Sequence, residues 1–202
     1  MTRVLATGFE PFAGSPANPS QRLVEELAAQ PPAGVELATA VLPVAYGRAA
    51  GELRAAVRAA EPDVVVCFGQ ADGRAGISVE RFALNLDDAS NVDNDGTSSG
   101  APVEPDGPAA YRSTLPVDEI VRALRAAGIP AAASRDAGGF LCNHVFYALM
   151  CVLEQERPRT TGGFVHVPVL PEQALEQPVA SMPLDVLVRA AAIVVGVAAA
   201  QA

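Results

Sequence analysis

Cys142 is the residue whose type and setting most suggest chemistry. It closes the run Ser134-Arg135-Asp136-Ala137-Gly138-Gly139-Phe140-Leu141-Cys142-Asn143 and is followed at once by the apolar stretch His144-Val145-Phe146-Tyr147-Ala148-Leu149-Met150. The small residues read as a turn, since glycine takes backbone conformations closed to other residues. The stretch after it reads as a helix, over residues 140–153. A thiol delivered to a helix N-terminus meets unpaired N–H groups and the positive end of the helix dipole, and both favour the thiolate nucleophile. The bland reading of a free cysteine is a small buried hydrophobe. That reading suits Cys67, which lies inside the apolar run from Asp63 to Gly69.

A thiol nucleophile needs a base, and the chain has two histidines. His144 follows Cys142 by two residues, and positions i and i+2 of a helix face different ways. It is expected to be a helix-face residue without a catalytic role. His166 lies near the carboxyl end of the predicted strand Gly162-Gly163-Phe164-Val165-His166-Val167, where open α/β sheets collect their functional groups. His166 is therefore the expected general base. A third group would fix the imidazole tautomer. From residue chemistry alone Glu80, Asp63, Asp87 and Asp136 all remain candidates.

The elements that must position these groups follow from pattern. Arg3 to Thr7 and Val35 to Leu42 read as strands, and the run from Asp63 to Gly69 as a fully buried one. Asn18 caps a helix that opens with Pro19 and presents Leu23, Val24 and Leu27. Tyr46 to Ala60, Val117 to Ala127 and Leu184 to Ala199 are further helices, and Pro130 to Ser134 a short strand. Ile77 to Leu86 alternates apolar and polar residues and predicts one half-exposed strand. Strands alternating with helices give a single α/β domain over residues 1–202, a three-layer α/β/α sandwich around a twisted, mixed but largely parallel sheet.

Bulk properties narrow the function. A chain of 202 residues with half of them apolar can build a full core, and a net charge of -9 with no basic segment argues against nucleic acid. The first residues read as a strand rather than an export signal, and the longest apolar stretch, 190–200, is too short for a bilayer. Three cysteines without metal-site spacing suggest neither disulfides nor zinc, so a cytoplasmic protein with reduced thiols is expected. The acidic stretch from Asp87 to Gly96 lacks the spacing and the terminal glutamate of a calcium loop. The segment from Thr97 to Gly107 is a long polar loop.

Five groups of residues then coincide. Thr7-Gly8-Phe9-Glu10-Pro11-Phe12, Asn18-Pro19-Ser20, the scattered set Gly73, Arg74, Ile77, Glu80, Arg81, Ala83 and Asn85, the Ser134 to Asn143 run, and Phe164-Val165-His166-Val167-Pro168 resemble, in order, the pyroglutamyl peptidase I (pyrrolidone-carboxylate peptidase) family. The resemblance implies a cysteine peptidase that removes N-terminal pyroglutamyl residues from peptides through a thioester, without cofactor or metal, as a homo-oligomer (dimer or tetramer). It implies a triad of Glu80, Cys142 and His166. It also places Phe9, Phe12, Val44, Phe140 and Leu141 around the lactam ring, with Gln70 as a polar partner. One departure stands out: Ser90 occupies a position where the family usually has arginine, and Asn91-Val92 replaces its usual Ile-Pro. Loss of that cation would raise the Cys142 pKa or weaken oxyanion stabilisation, with Arg74 or Arg81 the nearest replacements in sequence.

Overall fold

The apolar runs become the strands of one six-stranded sheet in the computed structural model, which describes residues 1–88, 91–175 and 178–202. In chain order the elements are β1 (Thr2–Phe9), α1 (Pro19–Ala29), β2 (Val35–Leu42), α2 (Tyr46–Ala60), β3 (Val64–Gln70), β4 (Ile77–Glu80), β5 (Phe82–Leu84), β6 (Ala110–Arg112), α3 (Val117–Ala126), β7 (Ala131–Ser134), α4 (Leu141–Glu156), β8 (Thr161–Val167) and α5 (Leu184–Ala199), with a 3-10 turn at Pro171–Ala174. The sheet order is β2-β1-β3-β8-β4-β7. β2, β1, β3 and β8 run parallel, while β4 is antiparallel to β8 and parallel to the edge strand β7.

Alternation along the central strands divides the interior into two cores. Val64, Val66 and Phe68 of β3 face a core with α1, α3 and α5, whereas Val65 and Cys67 face one with α2 and α4. A strand covered on both faces must be apolar throughout, which is why β3 reads as a continuous apolar run. The helix starts follow local chemistry. Asn18 Oδ1 accepts from the Ser20 N–H at 2.9 Å and Pro19 takes the first helical position.

One expectation fails. Ile77 to Leu86 is not a single half-exposed strand but two strands broken at Arg81. Ile77, Ser78, Val79 and Glu80 are all buried, because β4 lies inside the sheet between β8 and β7. At Arg81 the chain leaves the sheet: its N–H donates to Ser134 O, and its carbonyl accepts from Ser113 N. Beyond it β5 pairs with β6 in a separate ribbon, with Phe82 and Leu84 exposed and Ala83 buried. β6 has no sequence signal of its own.

Candidate active site

The turn before α4 is built by its own short side chains. Ser134 Oγ accepts from Asp136 N, Asp136 Oδ1 accepts from Gly138 N at 2.8 Å, and Gly138 takes φ +79°. That left-handed conformation is why a glycine stands there. Phe140 precedes the helix in extended conformation, and among the described residues no side chain caps the start of α4. Its first N–H groups are therefore not satisfied by a cap, the feature that suits a helix start to anions. Cys142 is the second residue of this helix and is half-buried.

Strand register brings His166 beside it. Gly69 of β3 is the ladder partner of His166 of β8, so the two point to the same face of the sheet. A Cβ built on Gly69 would lie 2.8 Å from Cys142 Sγ and 2.7 Å from the Phe164 ring. The missing side chain of Gly69 is thus the space in which the thiol sits. Glu80, on the neighbouring β4, is fully buried, and its Oε1 lies 2.8 Å from His166 Nδ1. Among the described residues no hydrogen bond joins Cys142 Sγ to His166. Both line one cavity, and such contacts often tighten only when substrate is bound.

The cavity holds about 420 Å³. Phe9, Phe12, Val44, Phe140 and Leu141 contribute apolar walls, and Gln70, Asp72, Arg74, Asn91, Cys142 and His166 also line it. Phe9, Val44 and Leu141 are buried, while Phe12 and Phe140 pack ring against ring at 6.2 Å between centroids and are partly open. Gln70 is partly engaged: its Nε2 donates to Asp72 at 2.6 Å and its Oε1 accepts from Gln173, which leaves one N–H and one lone pair of the amide. The structure thus brings Phe9, Phe12, Val44, Gln70, Phe140, Leu141, Cys142 and His166 to one cavity, with Glu80 behind His166.

The electrostatic balance differs from the expectation for a helix N-terminus. Burial pushes the Cys142 thiol up to about 12; the Glu80 charge adds to this, Arg74 opposes it, and Cys67 adds again. Burial also holds His166 below its ordinary value, with Arg74 acting in the same direction and Glu80 and Asp136 against it. Desolvation outweighs the helix dipole here because the thiol lies between strand and helix rather than at an open end. Both shifts favour the neutral forms of the pair, thiol and imidazole. Cys67 is a core residue as expected, its thiol held at about 12 by burial.

The remaining acidic candidates separate cleanly. Asp63 binds the Arg3 N–H far from the cavity, and Asp136 serves the turn. Asp87 lies 2.9 Å from His144 Nδ1, so His144 is tied to a carboxylate rather than being a bare helix-face residue. Arg81 pairs with Asp118, whereas Arg74 reaches Glu80 at 2.6 Å. Ser90 lies outside the described residues.

Two residues that the sequence reading passed over support the site. Asn143, fully buried, accepts from Leu84 N at 2.8 Å and donates to the carbonyls of Leu84 and Leu86, fastening β5 to the helix that carries Cys142. Asp93 accepts from the N–H groups of Tyr46, Asp95 and Thr97. Its acidic neighbourhood could have suggested a carboxylate clamp, but nothing local identifies its partner Tyr46.

Comparison with known proteins agrees with this geometry. The sequence model of the pyroglutamyl peptidase family matches residues 2–201. The pyrrolidone-carboxylate peptidase of Gloeobacter violaceus is 52% identical over 189 residues, covering 93% of this chain and 92% of the relative. That of Streptomyces coelicolor is 50% identical over 184 residues, covering 91% and 85%. The crystal structure of pyroglutamyl peptidase I from Bacillus amyloliquefaciens superposes with a TM-score of 0.97 at 39% identity, covering 99% of this chain and 98% of that one. The chain belongs to the pyroglutamyl peptidase family of cysteine-type hydrolases.

Proposed function

We propose that this protein removes N-terminal pyroglutamyl residues from peptides, with Cys142 as nucleophile, His166 as general base and Glu80 as the group that orients it. The observation that carries the reading is the meeting of three strands and one helix start. β3 leaves a space for the thiol, β8 supplies the imidazole beside it, and β4 buries the carboxylate behind that imidazole. A carboxylate on Nδ1 leaves Nε2 free to accept a proton.

The mechanism starts from the neutral pair. His166 takes the Cys142 proton as sulfur attacks the pyroglutamyl carbonyl carbon, forming the C–S bond and a tetrahedral oxyanion. N–H groups at the uncapped start of α4, including that of Cys142, stabilise the oxyanion. The C–N bond then breaks, and the leaving amine departs with the proton held by His166. Water, deprotonated by His166, hydrolyses the thioester and releases pyroglutamate and the thiol.

Substrate choice follows from the walls. Pyroglutamate is an uncharged lactam, so apolar surfaces from Phe9, Phe12, Val44, Phe140 and Leu141 suit it, with Gln70 beside them as the polar partner. A free N-terminal ammonium would lose its hydration against these apolar walls and be disfavoured, since the carboxylate that lines the cavity, Asp72, is already bonded to Gln70. The reading includes residues 1–202 acting as one domain, in the cytoplasm, as a dimer or tetramer. Exposed Phe82, Leu84 and Leu86 offer apolar surface for subunit contact.

Release of a fluorescent amine from a pyroglutamyl amide tests this. Turnover by the wild type that is absent in Cys142→Ala is expected. The alternative is a family member that binds pyroglutamyl ligands but turns them over weakly, because Ser90 stands at the usual arginine position. Binding without turnover, together with rescue by Ser90→Arg, would favour it.

A further inference from the structure

We propose that Arg74 is a positioning residue of the site, a side chain that ties the Glu80–His166 arm to the turn carrying Cys142. Its Nη1 donates to Glu80 Oε1 at 2.6 Å, and its Nη2 donates to the Asp136 carbonyl at 2.8 Å. Glu80 belongs to β4 and Asp136 to the turn between β7 and α4. A single planar guanidinium thus spans the two halves of the site, using the fixed fork that distinguishes arginine from lysine. The inference rests on the reading of Cys142 and His166 as nucleophile and base.

Burial makes the tie necessary. Glu80 is fully buried and, among the described residues, its Oε2 has no hydrogen-bond partner, so this carboxylate depends on what Oε1 meets. His166 Nδ1 also reaches Oε1, but a neutral imidazole brings a hydrogen bond and no charge. Arg74 is the ion-pair partner of Glu80 that carries a permanent charge. With Glu80 ionised and fixed, Nδ1–H of His166 has one acceptor and the ring one orientation. The loop from Ala71 to Gly76 delivers Arg74 by two glycines: Gly73 takes φ +79°, and a Cβ on Gly76 would strike the Pro130 carbonyl at 2.6 Å.

The same charge also acts on the thiol. Arg74 favours the Cys142 thiolate and disfavours the protonated form of His166. Among the described residues, the other charged or titratable groups around the pair are Glu80 on β4, Asp72 in the loop after β3, Asp136 in the turn before α4, Cys67 on β3 and Tyr46 on α2. None of these is a cation, so removing Arg74 shifts the balance in one direction. The thiol becomes harder to ionise.

The test uses the full chain as wild type, Arg74→Gln and Arg74→Lys. Two readouts are followed: turnover of a pyroglutamyl amide, and the pH dependence of alkylation at Cys142 by iodoacetamide, located by peptide mass. Arg74→Gln is expected to lose about 10²-fold in kcat, as a misplacement near 1 Å would give, with KM little changed. Its alkylation midpoint should move to higher pH. Arg74→Lys should hold the midpoint near wild type yet keep most of the kcat loss, because one ammonium does not reproduce the fork. An unmoved midpoint in Arg74→Gln, or wild-type kcat in either variant, would overturn the proposal. If Arg74→Gln does not fold, full activity in Arg74→Lys would do so alone. A wild type that alkylates normally but fails to release the amine would instead count against the proposed function and leave the alkylation comparison to decide the role of Arg74.

Discussion

Replacing Gly69 by alanine tests whether the thiol owes its position to a missing side chain. The added Cβ would lie 2.7 Å from Phe164 Cζ, 2.8 Å from Cys142 Sγ and 3.0 Å from Phe164 Cε1. Ordinary contact needs roughly 3.5–4.0 Å, so a displacement of about 0.7–1.2 Å must be absorbed. Phe164 has little freedom to give way, being fully buried against Phe9, Phe146 and His166. The shift therefore falls on Cys142 and the start of α4. Overpacking of this kind costs about 1–3 kcal/mol, which lowers Tm by about 2–12 °C for a chain of this size. A thiol moved by about 1 Å lowers kcat by about 10²-fold. Steady-state turnover of a pyroglutamyl amide and a thermal melt measure both. A Gly69→Ala protein with wild-type kcat and Tm would refute the reasoning, since it would mean that Cβ and Sγ share the space without strain.

Two further substitutions test the supports. Asn143→Ala removes one acceptor and two donor bonds from the junction of β5 and α4, leaving Leu84 and Leu86 backbone groups unpaired. A loss of about 2–4 kcal/mol is expected, read as a lower urea midpoint at unchanged slope. Burial alone would raise the Asp93 pKa, but bonds from Thr97, Tyr46 and Asp95 N–H groups, with the Arg48 charge, hold it below the ordinary carboxylate range. A depressed carboxylate stabilises the fold above its unfolded pKa, roughly 3.9, and loses that contribution as pH falls through the folded value. Asp93→Asn should therefore be less stable than wild type at neutral pH. The difference should shrink as pH drops below about 4; a pH-independent difference would contradict the assignment.

The main architecture was legible because burial on two faces leaves an unmistakable trace. β3 is apolar from Val64 to Gly69 and β8 is buried from Gly162 to Val167, and α5 occupies the span its pattern predicted. Cys142 and His166 were also legible, one from the turn before its helix and the other from its place at a strand end. Glu80 was different. Its strand alternates in sequence and so suggests a solvated face, yet the sheet order encloses it between β8 and β7. Glu80 is buried against His166, and periodicity cannot separate a buried polar residue from an exposed one. The setting of the thiol is hard to read for a related reason: the helix start is local in sequence, but the groups that bury Cys142 Sγ, Gly69 of β3 and Phe164 of β8, are not. Asn143 was silent because the groups it binds lie 57 and 59 residues away.

The most direct test of the account is to look for the acyl-enzyme. Rapid quenching during turnover of a pyroglutamyl amide, followed by peptide mass analysis, should find one pyroglutamyl group on the peptide containing Cys142. Cys142→Ala should show neither this adduct nor turnover. Amine release that persists in Cys142→Ala, or turnover in the wild type with the pyroglutamyl group on another residue, would contradict it.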